Sequence, residues 1–218
     1  MFEWRFLTGS LALQDDGPLI LAPDQERAVT QLWDQALLAK PGLFDGPIVT
    51  VERIEIAKLI VRRAHYRHAV AARQAAGIAL KPLAVSGLLS CPDGLVFGRR
   101  AAFVSQCAGQ WELVPSGGAE TLDLERQIVI ELEEEIGLTS QQVTVGQPTA
   151  LLIGQECVDV VIPLLTDLSA ETIAACHATR GSKEYDRLLV TSAPHDFVAG
   201  REDVIEASRL IVEHLVHK

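Results

Sequence analysis

The sequence predicts a mixed α/β protein in which an N-terminal α/β lobe precedes a larger α/β domain. Apolar residues make up 48% of the 218 residues, which is enough to form a sizeable core. Short apolar runs with strand character alternate with segments of helical period, as in a sheet covered by helices. Residues 1–80 carry nine basic and nine acidic side chains, so the whole net charge of −10 lies beyond them. We therefore expect a lobe at residues 1–80 and a domain at residues 81–218.

The lobe is expected to contain four strands and two helices. Pro23 and the acids after it are typical of a first helical turn, and Pro41-Gly42 ends the same segment. The Asp15-Asp16-Gly17 sequence indicates a turn between the first two strands. In order, the predicted elements are strands at 2–7 and 18–22, a helix from residue 23, strands at 47–56 and 58–63, and a helix at 65–77.

The larger domain begins with a hairpin, because Pro92-Asp93-Gly94 is a strong turn signal between two apolar runs. Ser169 is a serine cap followed by Glu171, which favours a helix start. The remaining segments follow strand or helix periodicity. The predicted elements are strands at 83–91 and 95–100, strand and loop at 101–110, a helix ending at Gly137, strands at 143–153 and 157–165, a helix from 169, a strand at 188–191 and a helix at 204–216.

Composition excludes several classes of function. The acidic balance, with a net charge of −10, argues against sequence-independent binding of nucleic acid, which requires a basic face. No apolar run approaches the roughly 20 residues needed to cross a bilayer, and the N-terminus lacks the layout of a secretory signal. The four cysteines are scattered without a Cys-x-x-Cys pair, so neither a zinc site nor a disulfide framework is expected. These features predict a soluble cytoplasmic protein.

One stretch, residues 114–138, concentrates the acidic charge. It contains seven acidic residues and one basic residue, Arg126, and it places a Pro-Ser-Gly-Gly turn before a helix-length segment. Carboxylates three or four residues apart on a helix repel one another. A divalent cation would offset that repulsion, and oxygen ligands without Cys or His suit Mg²⁺ or Mn²⁺.

The helical period sorts the glutamates of this segment. At about 100° per residue, Glu131, Glu134 and Glu135 lie in one sector beside an apolar stripe, whereas Glu133 projects from the opposite side. The alternative interpretation is an ordinary solvated acidic face. The glycine turn before the helix and Gly137 after it favour the metal site instead.

At these residues the chain resembles the Nudix box, the loop–helix–loop of hydrolases that cleave nucleoside diphosphates linked to another moiety. Residues 131–138 match its metal-binding end without a gap, and residues 111–118 resemble its usual lead-in. The resemblance implies a Nudix fold, a mixed β-sheet sandwiched between helices (α/β/α), here with an N-terminal α/β extension. Ile130 stands where the family has an arginine that orients a ligand carboxylate. Counted strictly back from Glu131, the box's early glutamate falls on Leu122; if Gly118 is the family's glycine instead, Asp123 or Glu125 is expected to replace that glutamate.

The resemblance also implies roles for individual residues. Glu131 and Glu135 are expected to be the first metal ligands, and Glu134 either a third ligand or the base that activates water. Glu156, in a turn between two strands, is the alternative base. An ordinary exposed acid without a catalytic role is an equally good interpretation of this residue. Arg99 or Arg100 is expected to contact the phosphates through its side chain, and only one of the two, because successive strand residues face opposite ways. Gly117 and Gly118 are expected to donate backbone N–H groups to the phosphates.

A second, shorter patch lies in the lobe. Trp33 followed by residues 41–46 resembles the extension of the Nudix branch that hydrolyses UDP-sugars such as UDP-glucose. The expected function is therefore Mg²⁺-dependent cleavage of a nucleoside diphosphate derivative, with a UDP-sugar as one candidate and a homodimer as one assembly. Two alternatives remain open at this point. One is a weakly active or silent nucleotide sensor, and the other is an interaction protein whose acidic helix docks a basic partner.

Overall fold

The computed structural model describes residues 2–74 and 77–216. The elements of the N-terminal part are β1 (Glu3–Phe6), β2 (Ala12–Pro18), α1 (Pro23–Ala39), β3 (Pro47–Ile54), β4 (Lys58–His65) and α2 (Tyr66–Arg73). Those of the larger part are β5 (Leu83–Cys91), β6 (Gly94–Arg100), β7 (Trp111–Leu113), β8 (Ser116–Gly118), α3 (Leu124–Glu135), β9 (Thr144–Val145), β10 (Ala150–Ile153), β11 (Val158–Leu165), α4 (Ala170–Arg180), β12 (Tyr185–Thr191), α5 (Pro194–Val198) and α6 (Glu206–Leu215). A 3-10 turn at Ser140–Gln142 follows α3.

A nine-stranded mixed sheet forms the centre of the larger part. Its main order is β1-β10-β11-β5-β6-β12, with β7 beside β6, β8 beside β5 and β9 beside β11. Only β5 and β11 pair in parallel among these strands. Helices cover both faces, because alternate strand residues point to opposite sides and each side is apolar. The predicted α/β/α arrangement is therefore confirmed.

The two faces of the sheet carry separate cores. Ile128 and Leu132 of α3 and Ile173 of α4 are buried on one face. Val198 of α5 and Ile211 of α6 are buried on the other. Helix α3 and the terminal helix α6 therefore lie on opposite sides of the sheet.

The N-terminal part forms a three-stranded sheet in the order β2-β4-β3. Its Val49 and Leu59 belong to the same buried cluster as Leu83 and Val85 of β5. Strand β1 lies outside this small sheet and pairs antiparallel with β10 at the edge of the large one. A common core and one strand thus join the two parts, and the division near residue 80 stays a proposal.

Two predicted boundaries are wrong for identifiable physical reasons. The Asp15-Asp16-Gly17 sequence does not separate two strands but lies inside β2, where the register with β4 shifts and Gly17 has a φ of +87°. The turn signal therefore makes a bulge, and the predicted strand at 18–22 is absent from the described residues. The predicted strand at 143–153 is interrupted between β9 and β10, because Pro148 cannot donate to a ladder.

The remaining elements agree with the predictions within a few residues. Part of the predicted helix at 65–77 falls on residues 75–76, outside the described ranges. The segment 101–110 is a loop without a strand, and the sequence did not predict β7, β8 or α5. Within residues 2–74 and 77–216, no helix combines the length and the hydropathy that a membrane crossing needs.

Candidate active site

Helix α3 is fixed on the sheet along its length and at both ends. Asp123 accepts a hydrogen bond of 3.0 Å from the backbone N–H of Arg126 and caps the N-terminus. Gly137 follows the last turn at a φ of +75°, and a Cβ there would lie 2.9 Å from the carbonyl oxygen of Cys176. The buried residues of the helix are Leu124, Gln127, Ile128, Leu132 and Glu135. Two of these are polar, which is unusual for a stripe that faces a core.

The glycine turn brings β8 against the carboxylate side of α3. A Cβ on Gly117 would collide with the carboxyl group of Glu131. Only glycine therefore lets this strand approach the helix so closely. On Gly118 a Cβ would have no atom within 4 Å, so that residue borders open space. The pair Gly117-Gly118 thus separates the helix carboxylates from the cleft.

The backbone N–H groups of β8 alternate in direction. The N–H of Ala119 donates to the carbonyl of Leu83 at 2.9 Å, which makes that pair a hydrogen-bonded one. Gly118 precedes Ala119 and therefore belongs to a non-hydrogen-bonded pair of the antiparallel ladder. Its N–H consequently points away from β5. The N–H of Ser116 points the same way and donates to Glu135 Oε2 at 3.0 Å.

Glu135 lies at the centre of a buried polar cluster. The side chain is 3% exposed. Besides Ser116, the hydroxyl of Tyr185 is near Glu135: it donates to Glu112 Oε1 at 2.9 Å and lies 3.4 Å from Glu135 Oε1. Burial raises the pKa of Glu135 well above its ordinary value, and the neighbouring carboxylates of Glu112 and Glu131 raise it further.

Gln127 orients Glu131 from one turn earlier in the helix. Its Nε2 donates to Glu131 Oε1 at 2.8 Å, while its Oε1 accepts from the backbone N–H of Glu120 at 3.1 Å. Because the backbone group can only donate, this second bond fixes which end of the amide faces Glu131. Burial raises the pKa of Glu131 to about 7, although the hydrogen bond from Gln127 opposes this shift.

The cluster holds more negative than positive charge. Arg100 is the cation in contact with it, and this residue pairs with Glu112 at 2.5 Å and with Glu184 at 2.8 Å. Glu131 and Glu135 therefore carry no cationic partner within the described residues. Buried carboxylates without positive charge are costly. This uncompensated pair is the feature of the site that a divalent cation fits.

The other acids of the helix are exposed. Glu133 accepts a hydrogen bond of 3.1 Å from the N–H of Ser140, away from the cluster, as the helical wheel predicts. Glu134 is exposed, but it lies close enough to raise the pKa of Glu131. Asp123 is the helix cap, and Glu125 accepts from Gln147 at 3.0 Å. Neither residue takes the place of the early glutamate, because these contacts point them away from Glu131.

The two arginines of β6 point to opposite sides, as strand alternation predicts. Arg99 forms a bidentate pair with Asp186, with both distances 2.8 Å, on the exposed side. Arg100 lines the cleft, but its guanidinium group is held by Glu112 and Glu184. Any phosphate contact of Arg100 would therefore be shared with these two carboxylates.

Glu156 lines a cleft of about 1120 Å³ that also reaches β8 and Arg100. The residue is exposed in the turn between β10 and β11. Gly117 and Gly118 line the same cleft. Apart from Arg99, the sequence-predicted residues thus fall into two sets, one around the carboxylates of α3 and one around this cleft.

Four residues of the site were not predicted from the sequence: Gln127, Glu112, Glu184 and Tyr185. The position of Gln127 four residues before Glu131 was a usable signal, because such pairs meet on a helix. Glu112 alternates with buried Trp111 in β7 and so faces the other side of the sheet. Nothing local marks Glu184 or Tyr185, which β12 brings in from a distance of about 50 residues in sequence.

Among the described residues, no three His, Cys, Asp or Glu side chains form a ready-made metal group. Glu131 and Glu135 are nevertheless one turn apart, both lie against β8 and both supply only oxygen atoms. A cation such as Mg²⁺ keeps several waters and needs few protein ligands. The donor chemistry and the unpaired buried charge therefore fit such an ion.

Comparison with solved structures identifies similar folds. DR0079 from Deinococcus radiodurans superposes on 62% of this chain and 83% of its own, with a TM-score of 0.50 and 13% identity. RenU, a Nudix hydrolase from M. smegmatis, covers 62% of this chain and 83% of its own, with a TM-score of 0.46 and 19% identity. The MutT protein from Methanosarcina mazei covers 61% and 92%, with a TM-score of 0.41 and 21% identity. No protein-family profile and no curated protein matches the chain.

The fold and the site define an α/β/α protein with a carboxylate-bearing helix packed on one face of a mixed sheet. This is the α/β/α arrangement that the segment 111–138 predicts, and it is similar to the fold of DR0079. The similarity in structure extends over about two thirds of the chain. At such low identity it establishes the fold, and the activity has to be argued from the residues of the site.

Proposed function

We propose that the chain is a Mg²⁺- or Mn²⁺-dependent hydrolase that cleaves the diphosphate of a nucleoside diphosphate linked to another moiety. The observation that carries this proposal is the pair Glu131 and Glu135. Both are held at the glycine turn, one against Gly117 and the other by the N–H of Ser116, and neither has a cationic partner among the described residues. This arrangement has a cost in stability that a bound cation would offset.

The proposed roles follow from burial and position. Glu131 and Glu135 would hold the cation, and Gln127 and Ser116 would keep their carboxylates in place. When bound, the cation would supply charge neutralisation for the diphosphate. The outward N–H of Gly118 would donate to a phosphate oxygen at the border of the cleft.

Two acids are candidates for the base that takes the proton from the attacking water. Glu134 is exposed and close to Glu131, so it would either bind the cation as a third ligand or accept this proton. Glu156 is exposed on the cleft and would reach water from the opposite side. Comparison of Glu134→Gln with Glu156→Gln separates these roles, because loss of the base lowers kcat more than it raises KM.

A UDP-sugar such as UDP-glucose is the substrate that we propose to test first. Its support is the resemblance of residues 33–46 to the UDP-sugar branch, together with a cleft of about 1120 Å³. Such a volume admits a ligand of nucleotide-sugar size, since small-molecule sites span about 300–1,000 Å³. Residues of the N-terminal lobe, including Tyr66 and Arg73, line this cleft beside those of the larger part.

The test is a steady-state assay with Mg²⁺ against UDP-glucose, ADP-ribose, NADH and dinucleoside polyphosphates. We expect hydrolysis of at least one of these, and we expect Glu135→Gln to lower kcat by at least about 100-fold. Glu133→Gln is the matched control, because that glutamate belongs to the same helix but faces away from the cluster. Equal activity of the wild-type protein and Glu135→Gln would contradict the proposal.

Two other outcomes identify the competing functions. Nucleotide binding without turnover of any substrate would indicate a sensor, which the isoleucine at position 130 favours. If the protein neither binds a nucleotide nor turns over any substrate, the result would support the interaction protein whose acidic helix docks a basic partner. Burial of Glu131 and Glu135 favours a metal site for these two residues, because a basic partner would contact the exposed acids of the helix instead.

A further inference from the structure

Asp159 is a buried carboxyl group on the face of the sheet opposite α3. In β11, Val158 and Val160 contribute to the core beneath α3, so Asp159 between them points to the other side. Its side chain is 8% exposed, and it borders the same cleft as Gly118. None of the roles proposed above uses this residue.

The hydrogen bonds of Asp159 are weak for a buried carboxyl group. Ser86 Oγ lies 3.5 Å from Asp159 Oδ1, and Cys157 Sγ lies 3.4 Å from Oδ2. The first distance is well beyond the 2.5–3.0 Å usual for an O–H···O bond. No arginine or lysine of the described residues forms an ion pair with it. Burial therefore raises the pKa of Asp159.

A buried polar group with such incomplete partners calls for an explanation, and an absent ligand is one. Strand register supplies the second observation. Asp159 pairs with Ala84 of β5, and Ala84 pairs with Gly118 of β8. Gly118 and Ala84 are small, and the space above Gly118 is open. Three residues in one row across the sheet thus form a floor that leaves room above it.

The same row connects this floor to the carboxylate site. Adjacent strands are about 4.8 Å apart, so the backbone of Asp159 is about 10 Å from that of Gly118. A ligand that binds the N–H of Gly118 through its diphosphate and lies back across β5 would place its organic end over Asp159. The available donors of such an end group are the N–H groups of a nucleobase or the hydroxyls of a sugar, and a carboxyl group accepts from either.

We propose that Asp159, with Ser86 beside it, is the recognition site for a hydrogen-bond-donating end group of the substrate, a nucleobase or a sugar. The inference rests on the proposed function for the identity of that substrate as a diphosphate. It assigns specificity to the sheet face opposite α3, while the carboxylates of α3 act on the diphosphate.

The experiment measures binding at equilibrium, which requires no turnover. Calorimetric titrations with UMP, AMP, glucose 1-phosphate and inorganic phosphate, each with Mg²⁺, are made on the wild-type protein, Asp159→Ala, Asp159→Asn and Ser86→Ala. We expect Asp159→Ala to weaken binding of at least one organic phosphate by about 10- to 100-fold, the usual effect of losing a hydrogen bond to a charged group. Binding of inorganic phosphate should not change.

The pattern of loss identifies the end group. A loss for UMP and AMP alone assigns Asp159 to the base, and a loss for glucose 1-phosphate alone assigns it to the sugar. Asp167→Asn is the matched control, because Asp167 is an exposed acid just beyond the other end of β11. If Asp159→Ala does not fold, the proposal is tested with Asp159→Asn and Ser86→Ala, because both substitutions keep the shape of the floor.

Two results would overturn the proposal. One is wild-type affinity of folded Asp159→Asn and Ser86→Ala for every ligand of the panel. The other is a wild-type protein that binds the organic phosphates no more tightly than inorganic phosphate. Failure of the proposed hydrolysis is recognised separately, as absence of turnover in the steady-state assay, and it leaves these binding results interpretable.

Discussion

The chain resembles the Nudix family in two segments, and the side chains of these two segments have different environments in the structure. In residues 111–138, polar side chains turn inward, and Glu135 remains buried without a cation among the described residues. In residues 33–46, Trp33 and Asp45 contribute to local packing. Trp33 meets the ring of Tyr66 edge-on at 6.2 Å, and Asp45 accepts a hydrogen bond of 2.8 Å from the N–H of Arg67.

The difference separates residues that the fold explains from residues that it does not. Asp45 satisfies an N–H of the first turn of α2, which would otherwise lack a partner, so its contribution is to stability. Glu131 and Glu135 reduce stability as they stand, because burial opposes their charge. Residues that a fold holds at a cost are candidates for function.

The largest effect is expected from Gly117→Ala. The added methyl group would displace the carboxyl group of Glu131, and displacements of about 1 Å at a reacting centre reduce rates by about 100-fold. We therefore expect kcat to fall by about that factor and the thermal shift caused by Mg²⁺ to decrease. Gly118→Ala is the control, because its methyl group would meet open space, and it should keep the Mg²⁺-induced shift. Equal shifts in both variants would contradict the packing role of Gly117.

A smaller effect is expected from Gln127→Met, which preserves the shape of the side chain and removes its amide. Loss of a hydrogen bond that orients a metal ligand usually lowers metal affinity by about 10- to 100-fold. We expect the Mn²⁺ dissociation constant to rise by about 10-fold, with little change in KM. Gln147→Met is matched to it, because Gln147 makes an exposed amide–carboxylate bond to the same helix. If Gln147→Met weakens Mn²⁺ binding as much, Gln127 has no special role.

The stability of the metal-free protein should depend on pH. Burial raises the pKa of Glu131 to about 7, so between its ordinary value and pH 7 the folded state binds more protons than the unfolded state. This contribution to stability is fully present below pH 4.5 and is lost as the pH rises through 7. Urea unfolding in EDTA should show a falling free energy of unfolding from pH 5 to 8. Glu131→Gln should flatten this fall, and an unchanged slope would contradict the assignment.

The smallest effect on activity is expected in the lobe. Asp45→Ala removes the acceptor at the start of α2 and should lower the free energy of unfolding by about 1 kcal/mol. We expect Mn²⁺ affinity to stay within about two-fold of wild type, because Asp45 caps a helix that takes no part in the carboxylate site. A large loss of Mn²⁺ affinity without a loss of stability would show that the lobe acts on the metal site.

Periodicity and turn chemistry predicted most of the fold. Pro23 and the Pro92-Asp93-Gly94 turn mark α1 and the β5–β6 hairpin correctly, because their backbone restrictions act locally. The Asp15-Asp16-Gly17 signal was wrong because its effect depends on a partner strand, and pairing with β4 converts it into a bulge. The pairing of β1 with β10 depends equally on distant residues and has no local signal.

The site was predicted where it follows helical geometry. The spacing of Glu131, Glu134 and Glu135, and the opposite direction of Glu133, are properties of one helix. The partners that hold these carboxylates come from elsewhere in the chain: Ser116 from β8 and Tyr185 from β12. Such contacts are set by tertiary packing, so the sequence indicated the ligands but not the network around them.

The central claim is that Glu131 and Glu135 together bind a divalent cation. The most direct measurement is electron paramagnetic resonance of Mn²⁺ titrated into the wild-type protein and into the Glu131→Gln/Glu135→Gln variant, without any nucleotide. The account predicts saturable binding by the wild-type protein and loss of that binding in the variant, while Glu133→Gln, whose glutamate faces Ser140, binds as wild type. Retention of the wild-type Mn²⁺ affinity by the folded double variant would contradict it.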